Sequence, residues 1–388
     1  MRVLYVNHTL QKSGAGISLA TLLRHLPPDV EKYFLLPARS EINDALGAEP
    51  ARTFSERFVC QFPVTRYNDP YPASLYAWHL AKIAVAVLRV RQLVRRWDIG
   101  LVHANETTLV AYAYGARLAG VPVVLHARTA IAPRRFERSL LARLGRSKSA
   151  RIVCIDGEVR DSLPAACRGI AEVVHNPIDL GPTPAPADVA ALRASWGCAP
   201  GDVVVGQVAS LHEQKGVWLI LDLAEKLCAE FPVLRVVLIG DDSASAGEGP
   251  KLREAIAQRG LAGRVVLPGY DARLATVYAA LEVALCLFGG ALGGVGRAAY
   301  EAAIAGKPLV ATLPDPQRSE TLRHGESGLL FTHTDVAGIT AALRSLIVDA
   351  PFRARLGASA QAAIAQRHAP AAVAARVRDL YAKLLAGA

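Results

Sequence analysis

The chain has 388 residues, of which 52% are hydrophobic, and it carries a formal net charge of +10 at pH 7. This length exceeds what one hydrophobic core usually supports, so we expect two domains. No uncharged run reaches the roughly 20 residues that a membrane-spanning helix needs, because Lys82, Arg89 and Arg91 interrupt the best candidate, and this excludes an integral membrane protein.

The N-terminal segment predicts a strand, a glycine-containing loop and a helix. Residues 2–7 form the strand, and because no signal-peptide pattern precedes it we expect a cytoplasmic protein. Residues 12–18 predict the loop. Its glycines, Gly14 and Gly16, lack the third glycine of a dinucleotide-binding fingerprint, which disfavours NAD. A tight turn between strand and helix would need the same two glycines.

Two histidines lie near the ends of predicted strands in the first half. After a long helix at residues 77–97, His103 lies near the carboxyl end of a strand, where the pattern favours a structural histidine over a catalytic one. A second strand within residues 121–130 places His126 just beyond its apolar core, at the end where α/β sheets bind ligands. Position alone leaves functional and structural roles of His126 evenly matched.

Residues 131–151 carry seven basic residues and one acid, Glu137, and so account for six of the ten net charges. On a helical projection the apolar and basic side chains occupy opposite arcs. The apolar arc contains Phe136, Leu140, Leu141 and Leu144, and the basic arc Arg135, Arg138, Arg143 and Arg146. Such a helix can lie on an anionic membrane surface, but an ordinary surface helix with a solvated basic face shows the same pattern. Nucleic acid is disfavoured as a partner, because no recognised binding motif accompanies the charge.

A proline-dense segment, GPTPAPA at residues 181–187, predicts a linker between two domains, 1–180 and 181–368. Residues 369–388 then predict an amphipathic helix. The six cysteines are scattered without any C-x-x-C pair or histidines at metal-ligand spacing, so we expect reduced thiols and no metal site.

The strongest pattern of the second half is a βαβ unit at residues 283–312. The turn from its first strand to its helix contains Gly293, Gly294, Val295 and Gly296. Backbone N–H groups in such a turn can approach a ligand, and the helix N-terminus adds partial positive charge, so this turn is a candidate phosphate site. Glu301 is the only acid in the helix; for an arbitrary helix a solvated carboxylate is the favoured explanation.

The segment GGVGRAAYEAAIAGKPLVAT at 293–312, followed by SETLRHGESGLLF at 319–331, resembles the donor-site region of family 4 glycosyltransferases. The family pattern reads roughly E-x-F-G-x-x-x-x-E-A-x-A-x-G-x-P-V, then E-x-I-x-x-G-x-x-G-x-L. The matching residues are Gly296, Glu301, Ala302, Gly306, Pro308, Glu320, Gly325 and Gly328. Gly293 departs from the pattern, because the family has a glutamate there.

The resemblance implies an α/β protein of GT-B architecture, with two facing Rossmann-like domains, parallel sheets and an interdomain cleft. It implies transfer of a sugar from a nucleotide diphosphate sugar, carrying UDP or GDP, with retention at the anomeric carbon and without a metal or other cofactor. The acceptor would be a carbohydrate or polyprenyl-linked molecule of bacterial-type cell-surface polysaccharide or glycolipid synthesis. GT-B proteins commonly cross back with a terminal helix, so we expect 369–388 to pack on the first domain.

The resemblance also implies a set of donor-binding residues. They are Gly14, Gly16, Ser210, Lys215, Gly240, Tyr270, Gly293, Gly294, Val295, Gly296 and Glu301. Residues 209–216 resemble the family's G-R-L-x-x-x-K-G, in which Arg and Lys neutralise the diphosphate; Lys215 is present, whereas Ser210 replaces the arginine. Glu301 would accept bonds from the ribose hydroxyls, and Tyr270 would contact the base.

The catalytic candidates that follow from the resemblance are His126 and Lys215. His126 matches a histidine that contacts the donor sugar or lies beside the reacting carbon. Arg128, Asn105 and Glu106 are candidates for the acceptor side. A rival hypothesis is a nucleotide-sugar-binding protein without transferase activity, because two usual donor-binding side chains are absent.

Overall fold

The computed structural model describes residues 1–10, 13–57, 59, 61, 73–132, 135–241, 248–288 and 296–387. The chain forms two compact units, one of Met1–Pro177 with Arg367–Ala388 and the other of Ile178–Gln366. These bounds lie within a few residues of those suggested by the linker and the terminal helix.

The first unit is built on a seven-stranded parallel sheet. Its strands are β1 (Arg2–Val6), β2 (Glu31–Pro37), β3 (Thr53–Glu56), β4 (Leu101–Ala104), β5 (Val123–Ala127), β6 (Ala150–Cys154) and β7 (Ala171–Val173), in the order β3-β2-β1-β4-β5-β6-β7. Its helices in chain order are α1 (Gly14–His25), α2 (Ala73–Trp97), α3 (Val110–Leu118), α4 (Arg135–Leu144) and α5 (Gly157–Ser162). Every residue of β4 and β5 is buried, as expected for parallel strands that helices cover on both faces.

The start of α1 corrects one expectation. The glycine pattern predicted a loop through residue 18, but the helix already begins at Gly14, so Gly14 and Gly16 lie in its first turn. The cause is Ser13, whose side-chain oxygen accepts a hydrogen bond from the Gly16 backbone N–H at 3.2 Å and caps the helix.

The second unit contains a six-stranded parallel sheet. Its strands are β8 (Val203–Val208), β9 (Leu234–Ile239), β10 (Val265–Gly269), β11 (Val283–Cys286), β12 (Leu309–Thr312) and β13 (Leu329–Phe331), in the order β10-β9-β8-β11-β12-β13. The helices that follow in chain order are α6 (Pro186–Ser195), α7 (Val217–Glu230), α8 (Glu248–Gln258), α9 (Leu274–Ala280), α10 (Gly296–Ile304), α11 (Val336–Val348) and α12 (Ala350–His368), the last of which reaches the first unit.

The last helix, α13 (Pro370–Ala386), belongs to the first unit. Its buried apolar side chains share a core with residues of α1, β1 and β2. The residues it contributes are Val373, Ala374, Val377, Leu380, Tyr381 and Leu384. The terminal helix thus covers one face of the first sheet.

Both sheets have the strand order of Rossmann-like folds, which confirms the expected α/β class. The order reverses between β1 and β4 in the first unit and between β8 and β11 in the second. Open α/β sheets bind ligands at the carboxyl ends of strands beside such a reversal. Among the described residues, no helix combines the length and the apolar composition required to cross a bilayer.

Candidate active site

In the first unit, polar side chains gather just beyond the carboxyl ends of four strands. Asn7, Asn105, Arg128 and Asn176 follow β1, β4, β5 and β7. The Arg128 guanidinium donates from Nε to Asn105 Oδ1 at 2.7 Å and from one Nη atom to Asn176 Oδ1 at 2.6 Å. Asn105 Nδ2 in turn donates to Asn7 Oδ1 at 3.0 Å. The cluster holds a largely buried positive charge in one position.

Glu106 joins the loops that follow β4 and β5. Its Oε1 accepts from the backbone N–H of Thr107 at 2.7 Å and of Arg128 at 3.3 Å, and its Oε2 accepts from the Thr129 hydroxyl at 3.2 Å. Burial raises the pKa of Glu106, and the hydrogen bonds from Thr107 and Arg128 oppose that shift. The side chains of Asn105 and Glu106, which the sequence pattern assigned to the acceptor, are therefore engaged within the protein, and an acceptor contact stays a prediction.

A buried chain of hydrogen bonds runs from α13 to β5. The Tyr381 hydroxyl lies 2.5 Å from His103 Nδ1, and His103 Nε2 lies 3.2 Å from His126 Nδ1. Burial, with a contribution from the Arg128 charge, lowers the pKa of His103 to about 3 and that of His126 well below its ordinary value. Both nitrogens of His103 have partners, which agrees with the structural role favoured above. His126 Nε2 is buried and has no hydrogen-bond partner among the described residues.

Tyr381 is a residue that sequence reasoning missed. The periodicity of α13 indicated an apolar face that includes position 381, and within such a face a tyrosine is ordinarily a core residue. Its hydroxyl distinguishes it from the aliphatic residues of that face, because a buried hydroxyl requires a partner.

In the second unit, the turn that carries Lys215 is fixed against the end of β11. Gly216 adopts φ +69°, and a Cβ atom there would lie 1.6 Å from the Leu287 carbonyl oxygen, so only glycine fits. Gln207 in β8 donates from Nε2 to the Lys215 carbonyl at 2.7 Å, while its Oε1 accepts from the Leu287 N–H at 3.0 Å. Gln207, which the sequence pattern did not single out, therefore joins the turn to β11 where the strand order reverses.

Lys215 is a half-buried cation beside an aromatic ring. Its Nζ lies 4.3 Å from the centroid of the Phe288 ring, within the range of cation–π attraction. Burial lowers the pKa of Lys215. An ammonium group with reduced hydration at the carboxyl edge of the sheet is suited to an anionic ligand.

Gly240, Ser210 and Tyr270 lie near the same edge. A Cβ atom on Gly240 would be 1.8 Å from the Ala209 carbonyl oxygen, so close backbone approach explains this glycine without a ligand. Ser210 is half-buried after β8, and Tyr270, directly after β10, is 57% exposed. Their donor-binding roles stay predictions.

Glu301 is buried rather than solvated, which corrects the expectation for an isolated carboxylate on a helix. Its Oε1 accepts from Arg297 Nε at 2.7 Å, and its Oε2 accepts from the Tyr278 hydroxyl at 3.1 Å. The side chains of Arg297 and Glu301 are only 11% and 6% exposed. Both carboxylate oxygens are thus bonded within the unit, and contact with a ribose stays a prediction.

The glycine turn before α10 is described only from Gly296. Gly293, Gly294 and Val295 lie outside the described residues. Gly296 has φ +71°, and a Cβ atom there would approach the Phe288 ring to 2.7 Å. Gly296 thus brings the first residue of α10 against the ring that also contacts Lys215.

Each of the two units is matched by a model of a known protein family. The model described as Glycosyltransferase Family 4 matches residues 13–181, and the model described as Glycosyl transferases group 1 matches residues 188–363. Together they cover most of the chain. The chain belongs to the family 4 glycosyltransferases.

Curated relatives of this family 4 chain include D-inositol 3-phosphate glycosyltransferases. That of Nocardia farcinica is 33% identical over 183 residues, which are 46% of this chain and 40% of the relative. That of Rhodococcus opacus is 35% identical over 190 residues, 47% of this chain and 41% of the relative. The matches therefore span about two fifths of the relatives' length.

Solved structures similar to the family 4 chain include HepE of Anabaena in complex with UDP, at TM-score 0.78 and 22% identity, covering 99% of this chain and 100% of that one. Sucrose-phosphate synthase of Thermosynechococcus elongatus superposes at TM-score 0.72 and 15% identity, with 100% of both chains covered. At these identities the likeness concerns the fold, and it confirms the GT-B architecture.

Glu301→Ala should destabilise the protein, because it removes the carboxylate from a buried guanidinium and a buried hydroxyl. We expect the free energy of unfolding to fall by about 3–5 kcal/mol in urea titrations. Glu230→Ala is the matched control, since it breaks an exposed ion pair with Arg344 and should change stability little. Equal stability of the two variants would contradict the buried pair described here.

Acid should destabilise the first unit through its buried histidines. The folded pKa of His103 lies near 3, below the value near 6.5 expected when unfolded, so the unfolded chain binds more protons below pH 6.5. The free energy of unfolding should therefore fall with pH from about 6.5 downward, by up to about 1.4 kcal/mol per pH unit for each such ring.

Urea titrations at several pH values would measure this dependence. His103→Gln should reduce the slope by one ring's contribution, whereas His333→Gln, at an exposed histidine, should retain the wild-type slope. An unchanged slope in His103→Gln would show that His103 is protonated in the folded state.

Proposed function

We propose that this chain is a retaining glycosyltransferase that moves a sugar from a UDP- or GDP-sugar to a carbohydrate or polyprenyl-linked acceptor. The observation that carries the proposal is Lys215, whose backbone is fixed at the strand reversal of the second unit and whose ammonium group is partly desolvated beside Phe288. The relatives in Nocardia and Rhodococcus are named as glycosyltransferases, and HepE of Anabaena has been solved with UDP and with UDP-glucose, which supports this donor class.

The chemistry of the step explains why a cation is placed there. When the bond between the anomeric carbon and the diphosphate oxygen breaks, its electron pair remains on the diphosphate. A cation near that oxygen stabilises the transition state more than the ground state, because the charge develops only as the bond breaks. Lys215 would supply this stabilisation, and the N-terminus of α10 would add its partial positive charge. The mechanism requires no metal ion.

The sugar itself would be bound by neutral groups. Family enzymes have a glutamate where this chain has Gly293. The hydroxyl groups of the sugar therefore need other partners in this protein. The buried Nε2 of His126 is a suitable one, because it has no partner within the described residues. The absence of that glutamate and of an arginine at Ser210 is also the basis of the rival hypothesis, a binding protein without transferase activity.

Lys215→Met should lower the rate of sugar transfer at least tenfold, because it removes the electrostatic stabiliser and keeps much of the apolar stem. Nucleotide release from a panel of UDP- and GDP-sugars, with oligosaccharide and polyprenyl-linked acceptors, would measure the rate. Lys307→Met is the matched control: Lys307 is another lysine of the second unit whose pKa is lowered by burial, but its Nζ donates to the Ala279 carbonyl.

The two hypotheses give different results in this experiment. Transfer by the wild type that Lys215→Met slows and Lys307→Met does not would support the enzyme. If no donor is consumed and Lys215→Met changes only nucleotide affinity, the protein binds nucleotide sugars without transferring them.

We also propose that the protein associates with the inner face of an anionic membrane through charge alone. Leu141 and Leu144 of α4 are fully buried in the core of the first unit, so these two side chains of its apolar face are not available for insertion. The exposed cations at and after its end, Arg143 and Arg146, remain accessible. Attraction of this kind is weakened by salt.

Replacing Arg143 and Arg146 together by alanine should reduce binding to anionic vesicles by roughly tenfold or more, because each cation near such a surface contributes about 1 kcal/mol. Sedimentation with vesicles at low and high salt would measure it. The control replaces Lys226 and Arg253, two exposed cations of the second unit, by alanine. Equal binding to neutral vesicles would refute attachment by charge.

A further inference from the structure

We propose that Tyr381 and His103 are positioning residues, which fix His126 in the one tautomer that carries its proton on Nε2 and presents it as a neutral hydrogen-bond donor. The inference rests on the proposed function only for the identity of the ligand, an uncharged oxygen of the sugar. The positions of the protons in the hydrogen bonds from Tyr381 to His126 follow from the contacts of the first unit alone.

Arg128 determines which atom donates and which accepts in the hydrogen bonds of these two rings. One of its Nη atoms lies 3.3 Å from His126 Nδ1. A guanidinium has five N–H donors and no acceptor, so His126 Nδ1 must offer its lone pair. The proton of a neutral imidazole then resides on the other nitrogen, Nε2.

The same rule propagates to His103 and Tyr381. Because His126 Nδ1 is an acceptor, His103 must donate to it from Nε2 across the 3.2 Å contact. Neutral His103 therefore has an unprotonated Nδ1, which accepts the Tyr381 hydroxyl proton across 2.5 Å. Because a hydroxyl has one proton, Tyr381 must then accept, not donate, in its 3.4 Å contact with the Tyr5 hydroxyl. All three contacts at the two rings agree with a single arrangement of protons.

The environment keeps both rings neutral. His103 and His126 are 0% and 2% exposed, and the Arg128 charge lies against His126. The low pKa values of the two rings have this burial as their first cause and the Arg128 charge as their second. His126 therefore does not act as a general base: its Nδ1 is occupied, and its Nε2 carries a proton.

Of the four ring nitrogens of His103 and His126, one has no partner within the described part of the chain and can bond a ligand. This nitrogen is His126 Nε2, and a buried donor that stays unpaired costs free energy. A hydroxyl or ether oxygen would recover that cost upon binding. A positioning role for Tyr381 also gives α13 a function beyond covering the sheet.

The tautomer can be observed directly. We expect long-range proton–nitrogen NMR spectra of the full chain, labelled with 15N in its histidine rings, to show His126 with a protonated Nε2 and an unprotonated Nδ1. The His126→Asn spectrum would identify the signal by its loss. A proton on Nδ1 of His126 in the wild type would overturn the proposal, whatever the donor sugar proves to be.

Tyr381→Phe tests the positioning role. It removes the hydroxyl and leaves His103 Nδ1 without its donor. The NMR signals of the His103 and His126 rings should therefore shift or broaden, and kcat for transfer should fall about tenfold. Tyr114→Phe is the matched control, because it removes a hydroxyl that donates to the Leu140 carbonyl at 2.7 Å in the same unit. This control should lose similar stability and retain the His126 spectrum and the rate.

Substitution of His103 separates hydrogen bonding from packing. His103→Gln retains an acceptor oxygen for Tyr381 and a donor N–H for His126, so it should retain most of the rate, whereas His103→Leu should lose about tenfold or more. If His103→Leu keeps the rate of His103→Gln, or if Tyr381→Phe matches Tyr114→Phe in spectrum and rate, the two residues are structural only. A protein without transferase activity would still give the tautomer result, so the two proposals fail separately.

Discussion

The reversal of strand order in each parallel sheet is the constraint on which the candidate site depends. Where the order reverses, the connections from neighbouring strands leave toward opposite faces, and the carboxyl ends stay open. In the first unit this opening lets Asn7 and Asn105 bond each other from the ends of β1 and β4. In the second, Gln207 reaches from β8 to the residue after β11. The polar groups gather at these points because the topology leaves backbone and space available there.

In the second unit, close backbone packing beside the strand reversal determines which residue types fit there. A Cβ atom added to Gly216 or to Gly240 would lie within 2 Å of a backbone carbonyl oxygen of another residue. Both belong to segments for which the sequence pattern indicated ligand binding, yet each has a structural reason of its own. A glycine beside a ligand site is therefore weak evidence for contact with the ligand, whereas the residue that the glycine holds in place, here Lys215, is the one with chemistry to offer.

The sequence sufficed for features that local patterns specify. The apolar run within 121–130 contains β5, and the proline-dense segment lies near the unit boundary. The donor role of Lys215 came from the family resemblance and stays a prediction. Features that depend on distant pairing were not accessible: Tyr381 meets His103 across 278 positions, and the partner of Glu301 on α9 is Tyr278. The start of α1 was missed for another reason, since one capping bond from Ser13 outweighed the glycine composition of the segment.

Under the proposed function, each unit would contribute its own chemistry to the binding of a nucleotide sugar. Lys215 offers a charge whose hydration is already reduced, which suits a diphosphate that gains charge as its bond to the sugar breaks. His126 offers a neutral donor, although a guanidinium lies 3.3 Å away from its ring. Burial is the first cause that keeps the ring from taking up a second proton, and that guanidinium is the second, because two adjacent buried cations would repel each other. Arg128 thus adds to burial in keeping the ring neutral, and the network from Tyr381 gives this neutral ring one orientation of its proton. A sugar hydroxyl, which has no charge to neutralise, requires no more than this.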